Sequence, residues 1–264
     1  MSGPHAGGPV ADALLVHRHS PVHALPAHVK LAAVLLFVLA VVLVPREQLW
    51  APGVAALLLA VTARVARVPL GLLARRLVVE LPFVVLALAL PLVAGGDRVP
   101  VAGVPLSVEG LYGAWNLLTK ATLACAAMLL LTATTPVRDL LVAMGRLGLP
   151  RALVTIAGFM VRYVDVVVAE VGRMRVARVS RGDDPRFLWQ ARAVAATAGT
   201  LFVRCYERGE RVHLAMQSRG YDGRVPALEA AAVARAEWGL ALVLPLLAAL
   251  TCAAAWSLQL GVLP

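Results

Sequence analysis

Trp238-Gly-Leu-Ala-Leu-Val-Leu-Pro-Leu-Leu-Ala-Ala-Leu-Thr-Cys-Ala-Ala-Ala-Trp-Ser-Leu-Gln-Leu-Gly-Val-Leu-Pro264 runs for 27 residues without a charged side chain. About 20 apolar residues carry a helix across the hydrocarbon of a bilayer. Four further apolar stretches lie upstream: Leu31–Pro45, Gln48–Ala63, Leu81–Gly96 and Gly110–Val137, the last broken only by Lys120. The shorter ones must borrow flanking residues, with Lys30 or Arg64 snorkelling to the interface. Pro82, Pro91 and Pro245 are tolerable in membrane helices but should bend or end them. The whole chain, 264 residues, is 60% hydrophobic with a mean hydropathy of +0.81, whereas soluble domains are about 45–50% apolar. The expected fold is all-α and polytopic, with about five transmembrane helices.

The net charge is +10, and only Lys30 and Lys120 among the basic residues are lysines. Arg64, Arg67, Arg75 and Arg76 fall between the second and third spans, while the first and third connections carry one arginine each, Arg46 and Arg98. Arginine-rich connections face the cytoplasm. This orientation puts the N-terminus and the section from about Thr134 to Arg235 on the cytoplasmic side of a cell membrane, and a fifth span would put the C-terminus outside. The chain then divides into a polar, histidine-containing segment (1–25), four spans (26–133), a basic helical section (134–235) and a last span (236–264). Met1–Ser20 lacks the basic start and apolar stretch of a signal peptide.

Of the 25 basic residues 16 lie between Pro136 and Arg235, against nine acids, so this section carries most of the excess charge. From Pro150 the chain reads Arg-Ala-Leu-Val-Thr-Ile-Ala-Gly-Phe-Met-Val-Arg-Tyr-Val-Asp, nearly a span, interrupted by Arg162 and Asp165, which can pair on one helix face. A long helix at the membrane surface is expected, with a sixth span as the rival. A second helix is expected from about Pro185 to Ser218. Its residues Phe187, Ala191, Val194, Ala198, Leu201, Cys205, Val212 and Met216 form an amphipathic stripe. Arg204, Arg208 and Arg211 lie on another face, where Glu207 can pair with Arg211. The simplest account of that face is a solvated or headgroup-facing surface.

Both helices finish alike, in Ser180-Arg181-Gly182 and Ser218-Arg219-Gly220. Glycine is a common helix stop, and an arginine in the last turn suits the helix dipole. Those rules explain one such ending. Two matching cationic ends in one basic section suggest two acidic docking sites, because a guanidinium binds a carboxylate with a planar fork.

With these ends in view, the sequence resembles the transmembrane T component (EcfT/CbiQ family) of energy-coupling factor transporters, closest to the cobalt-type branch. The resemblance runs through Ser20-Pro-Val-His-Ala-Leu-Pro-Ala-His-Val-Lys-Leu31, Thr134-Thr-Pro-Val-Arg-Asp-Leu-Leu141 and Leu147-Gly-Leu-Pro150. It is most specific in Glu207-Arg-Gly-Glu-Arg-Val-His-Leu-Ala-Met-Gln-Ser-Arg-Gly-Tyr-Asp-Gly223. The resemblance implies that Ser180, Arg181, Gly182, Ser218, Arg219 and Gly220 dock two cytoplasmic ABC-type ATPase subunits. Serine here replaces the family's alanine, and Ala177-Arg178 offers a second register for the first motif; Arg181 is preferred because glycine follows it. The resemblance further implies a separate substrate-binding S component in the membrane, Co²⁺ or Ni²⁺ as cargo, and ATP used by the partner subunits, with no cofactor bound by this chain.

Other residues are candidates for chemistry by type. His5, His17, His19, His23 and His28 suit Co²⁺, Ni²⁺ or Zn²⁺ by type, but their spacing fits no closed site and a polar tail explains them. Lys120, within a span, should face protein or water; a structural pair or snorkelling is the plainer reading, and a coupling role the rival. Asp183 and Asp184 fit an acidic helix start before Pro185. The three cysteines, far apart, read as small buried residues. No phosphate-cradling Gly-rich loop occurs, nor Gly-x-Ser-x-Gly or His-Glu-x-x-His, so the chain is read as a non-enzymatic subunit. Nothing points to nucleic acid. The rivals are an autonomous secondary transporter, which wants polar groups at mid-membrane, and a membrane-embedded transferase, which wants clustered acids.

Overall fold

The computed structural model describes residues 15–16, 18, 20–95, 97–101, 104–182, 191–222 and 235–262. The helices are α1 (Pro21–Ala24), α2 (Ala27–Val42), α3 (Trp50–Val65), α4 (Leu70–Arg76), α5 (Leu81–Val93), α6 (Val108–Thr134), α7 (Val137–Arg146), α8 (Arg151–Val179), α9 (Ala191–Gln217) and α10 (Arg235–Val262). A 3-10 turn, Leu77–Glu80, joins α4 to α5. An antiparallel hairpin, β1 (Arg98–Val101) and β2 (Val104–Ser107), pairs Arg98 with Ser107 and Val101 with Val104. Apart from this hairpin the described chain is helical, an all-α membrane protein.

Four stretches have the length and apolarity to cross a membrane: Leu70–Val93, Val108–Thr134, Arg151–Val179 and Glu237–Gln259; Ala27–Val42 and Trp50–Val65 are apolar but shorter. The protein is therefore multi-pass. The third stretch in chain order begins at Leu70, where the sequence suggests Leu81. Pro82 takes the second position of α5, where its missing N–H costs nothing, so the chain stays helical back through Arg75 and Arg76. Arg151–Val179, expected at the membrane surface, also meets the length and composition of a span.

The described chain forms two compact units. One is Leu14–Leu149 with Ala232–Pro264; the other is built around Pro150–Ala231. In the first, α2, α3, α6 and α10 share a core of Phe37, Ala40, Val41, Ala55, Leu59, Ala63, Leu123, Ala127, Leu130 and Ala248. Among the described residues alanine supplies 13 of the 25 buried apolar side chains, so the backbones can approach closely, as membrane helices prefer. The clearest seam is on α3, where Ala51, Ala55, Leu59 and Ala63 repeat every fourth residue and are all buried. The large side chains point outward: Leu57, Leu86, Leu88 and Leu250 are all more than half exposed. A soluble protein would hide these residues; in lipid they are at no disadvantage. Helix α7, which the sequence division at 134 groups with the basic section, packs on α2, burying Ala143 beside Leu31 and Leu131.

Helices α2 and α6 run antiparallel, and each is closed by the other's lysine. Lys30 near the start of α2 donates to the Thr134 carbonyl at the end of α6 (3.0 Å). Lys120 of α6 donates to the Val42 and Val44 carbonyls at the end of α2 (2.7 and 2.8 Å). Trp256 Nε1 donates to the Leu43 carbonyl (3.0 Å). Helix α2 has 16 residues, about 24 Å at ~1.5 Å each, which is shorter than a ~30 Å hydrocarbon layer. Its last carbonyls would lack partners in lipid, and Lys120 and Trp256 meet them with three hydrogen bonds. Lys30 does not snorkel: it is 7% exposed, and bonding to a helix end removes its need for water. Lys120 makes a structural pairing, with helix-end carbonyls as its partners.

Candidate functional site

The unit built around Pro150–Ala231 carries all six residues of the paired Ser-Arg-Gly endings. Helix α8 starts straight after Pro150. It ends with the Ser180 N–H on the Val176 carbonyl (3.0 Å), the Arg181 N–H on Arg178 (2.9 Å) and the Gly182 N–H on Val179 (3.0 Å). Helix α9 closes in the same way, with Ser218 on Leu214 (3.0 Å), Arg219 on Met216 (3.0 Å) and Gly220 on Gln217 (2.9 Å), and the Tyr221 N–H also reaches Met216 (3.0 Å). Gly182 and Gly220 have the same φ, +82°. A Cβ at either glycine would meet nothing within 4 Å. Glycine is therefore required here by the left-handed backbone, with no demand from space.

The serines match as well. Ser180 Oγ donates to the Ala177 carbonyl and Ser218 Oγ to the Ala215 carbonyl, both at 3.0 Å. The repeated unit is thus Ala-x-x-Ser-Arg-Gly, Ala177–Gly182 and Ala215–Gly220, longer by three residues than the tripeptide alone suggests. The signal was in the sequence: each serine has an alanine three positions before it. All six tip residues are exposed. Among the described residues, neither the Arg181 nor the Arg219 guanidinium meets a carboxylate.

Side-chain bridges join the helices. Arg204 pairs with Glu170, which also holds Arg173, and Arg178 Nη1 donates to Thr197 Oγ1 (3.4 Å). Moving eight residues up α8 means moving seven down α9, so the helices run antiparallel and their tips point opposite ways. Arg181 lies eleven residues beyond Glu170 and Arg219 fifteen beyond Arg204, which separates the tips by up to roughly 40 Å at about 1.5 Å per residue. That span suits two docking sites on separate bodies. Glu170, which ties the pair together, is not among the residues that sequence spacing singles out: Arg173 is visible three positions on, but Arg204 is 34 residues away.

The C-terminal half of the stripe read from the sequence lines a groove of about 600 Å³ between α8 and α9. Leu201, Cys205, Val212 and Met216 face Phe159 and Tyr163, and Arg204, Arg208 and Arg211, expected on another face, line the same groove. Glu207 and Arg211 approach to 3.9 Å. Cys205 is exposed, where burial was expected; Cys252 is buried and Cys125 intermediate. Phe187, Asp183, Asp184, Pro185 and Gly223 lie outside the described residues, as do His5, His17 and His19. His23 bonds Ser20 Oγ (2.7 Å) and the Val16 carbonyl (3.2 Å), whereas His28 stacks edge-on against Trp238 and meets Arg146 (3.3 Å). Among the described residues no three His, Cys, Asp or Glu side chains gather to hold a metal.

The cobalt transport protein family CbiQ matches residues 18–228. A cobalt transport protein CbiQ of Rhodobacter capsulatus is 31% identical over 172 residues, covering 65% of this chain and 68% of that protein. An uncharacterized protein of Methanocaldococcus jannaschii is 29% identical over 126 residues, 48% of this chain and 47% of its own length. A putative fused cobalt transport protein CbiMQ of Methanocorpusculum labreanum is 27% identical over 106 residues, 40% of this chain and 18% of that protein. The chain thus spans about half or less of these last two relatives. It belongs to the CbiQ cobalt transport protein family, as a transmembrane component of the CbiQ/EcfT type.

Proposed function

We propose that this family member is the coupling scaffold of an energy-coupling factor transporter for cobalt or nickel ions. In this reading Ser180-Arg181-Gly182 and Ser218-Arg219-Gly220 dock two ABC-type ATPase subunits. ATP is bound and used by those subunits, and this chain binds no cofactor and catalyses no reaction. The ATPases close, α8 and α9 move with them, and the apolar groove between the helices passes the movement to a membrane S component that holds the ion. The second unit and the N-terminus face the cytoplasm, and membrane lipid surrounds the spans. The family match supports metal-ion transport, and the relative described as a fusion supports a neighbouring transport subunit.

The single observation that carries the docking role is the identity of the two tips. They share sequence, backbone φ, serine bond and exposure, and they point away from each other. An isolated Arg-Gly ending is ordinary helix chemistry. Two matching ones, each with an arginine that meets no carboxylate among the described residues, fit two copies of one acidic groove. Arginine suits it because its fork can hold a carboxylate through two hydrogen bonds.

The test is a pull-down of the chain from its native membranes in mild detergent. Recovery of an ATP-binding-cassette ATPase and a small membrane protein is expected, with the ATPase lost when Arg181→Glu and Arg219→Glu are combined. Recovery of the chain alone, under conditions that hold other membrane complexes together, would replace this reading with an autonomous transporter or a membrane transferase.

A further inference from the structure

The connection from α3 to α4, with the helix ends beside it, is a basic elbow. Arg64, Arg67 and Arg75 are exposed there, and no acid occurs between Arg64 and Val79. The backbone beneath them is anchored to the core of the spans: Ala63, Ala66, Val68 and Leu73 are all buried in it. The Val68 N–H reaches back to the Ala63 carbonyl (3.0 Å) and the Arg67 N–H to Arg64 (2.9 Å), closing α3 with a left-handed residue. That residue is Arg67, at φ +56°, the one non-glycine with positive φ among the described residues. Glycine normally takes such a position. Three other helix-end or turn positions of this kind in the chain, at 148, 182 and 220, do carry glycine. An arginine at a position where glycine is easier sets where its side chain leaves the backbone of the elbow.

The surface between the arginines is apolar. Val65 and Leu70 are exposed beside them, and Val78 and Val79 lie 64% and 80% exposed just beyond Arg75. We propose that this elbow seats an anionic phospholipid of the cytoplasmic leaflet, its phosphate held by Arg64, Arg67 and Arg75 and its acyl chains laid on the exposed valines and leucine. A soluble acidic protein would satisfy the arginines but would have no use for the apolar residues interleaved with them. A lipid satisfies both, because headgroup and hydrocarbon meet at the depth where these helices end. The site is separate from the docking tips and does not depend on them; only the choice of leaflet rests on the orientation given above.

Native mass spectrometry of the full chain, released from detergent supplemented with phosphatidylglycerol or with phosphatidylcholine, tests this. The wild-type chain is expected to retain phosphatidylglycerol selectively. Arg67→Gly is the decisive variant: glycine fits φ +56° better than arginine, so the melting temperature holds or rises while phosphatidylglycerol binding falls about fivefold. The combination Arg64→Ala, Arg67→Gly and Arg75→Ala should bring it to the phosphatidylcholine level. Equal retention of the two lipids by the wild type, or undiminished phosphatidylglycerol binding in the folded Arg67→Gly chain, would overturn the proposal. Unchanged lipid binding with loss of a copurifying ATPase would assign the elbow to an acidic protein instead.

Discussion

Two pairs of helices, α2 and α6 among the spans and α8 and α9 in the second unit, finish in opposite ways. Among the spans, the last carbonyls of α2 and α6 are met by side chains from other helices: Lys120 and Trp256 for α2, and Lys30 for α6. In the second unit, α8 and α9 finish themselves, with a serine hydroxyl and a left-handed glycine drawn from their own sequence. The first arrangement spends its cations on internal bonds and fixes one helix against another. The second leaves the Arg181 and Arg219 guanidinium groups without a carboxylate among the described residues. Both lysines of the chain serve the first purpose. A compact ammonium suits a cluster of carbonyls, whereas a planar guanidinium suits a carboxylate on another protein.

That contrast predicts unequal effects of charge. Combining Arg181→Glu with Arg219→Glu should abolish ATPase copurification while leaving the melting temperature of the purified chain within a degree or two, because exposed tips carry little stability. Pull-down and thermal unfolding of the same preparation check both halves. A large fall in melting temperature would show that the tips are structural, and the comparison would collapse.

The reverse pattern is expected for Lys120→Met. Methionine keeps the length and loses the donor, leaving the Val42 and Val44 carbonyls without it. Leaving such groups unmet costs about 1–3 kcal/mol each, so the variant should unfold at clearly lower temperature, by light scattering or fluorescence in detergent. Trp256→Phe removes a single bond, to Leu43, and should cost about 0.5–1.5 kcal/mol. If Lys120→Met keeps its stability but stops ion uptake, Lys120 acts in coupling, and the claim that lysines close helices fails at its main example.

A second test within the spans concerns packing. Gly110 at the start of α6 lies against α5, where an added Cβ would come to 2.6 Å from Pro91 Cα and 2.8 Å from the Leu90 carbonyl oxygen. Both are backbone atoms and cannot swing aside. Gly110→Ala should therefore push α5 and α6 apart and cost about 1–3 kcal/mol. Gly220→Ala, by contrast, meets open space and suffers only from φ +82°, worth about 1 kcal/mol. Thermal melts of the two variants, side by side, separate a glycine kept for contact from one kept for conformation.

How much of this was readable in advance follows from how local each feature is. Charge-free runs announced the spans, because lipid sets a demand on every consecutive residue. The start of the Leu70–Val93 stretch was hidden by Arg75 and Arg76, whose charges break the apolar run without breaking the helix. The tips were legible because a helix ending is written within six residues. The reciprocal lysines were not: Lys30 meets Thr134 and Lys120 meets Val42 across 104 and 78 positions, and only packing brings them together. Snorkelling was a fair expectation for Lys30 on its own, and the neighbouring helix end supplied a better partner. The groove was half legible. The stripe on α9 could be read from its period, but that it stays open towards α8, with Cys205 exposed, depends on how two helices cross.

The smallest expected effect tests whether the tips are finished by their serines or by their backbone. Ser180 and Ser218 each donate a hydroxyl to an alanine carbonyl at 3.0 Å, but the same turn is already closed by the N–H bonds of Ser180, Arg181 and Gly182, and of Ser218, Arg219 and Gly220. The hydroxyls are exposed, so water can replace them on the carbonyls at small cost. Ser180→Ala with Ser218→Ala should therefore change stability by no more than about 0.5 kcal/mol and hold the ATPase within about twofold of wild type in the pull-down. Loss of the ATPase on removing two hydroxyls, with both arginines intact, would mean that the partner reads the serines directly. The docking surface would then be wider than a guanidinium and a left-handed glycine.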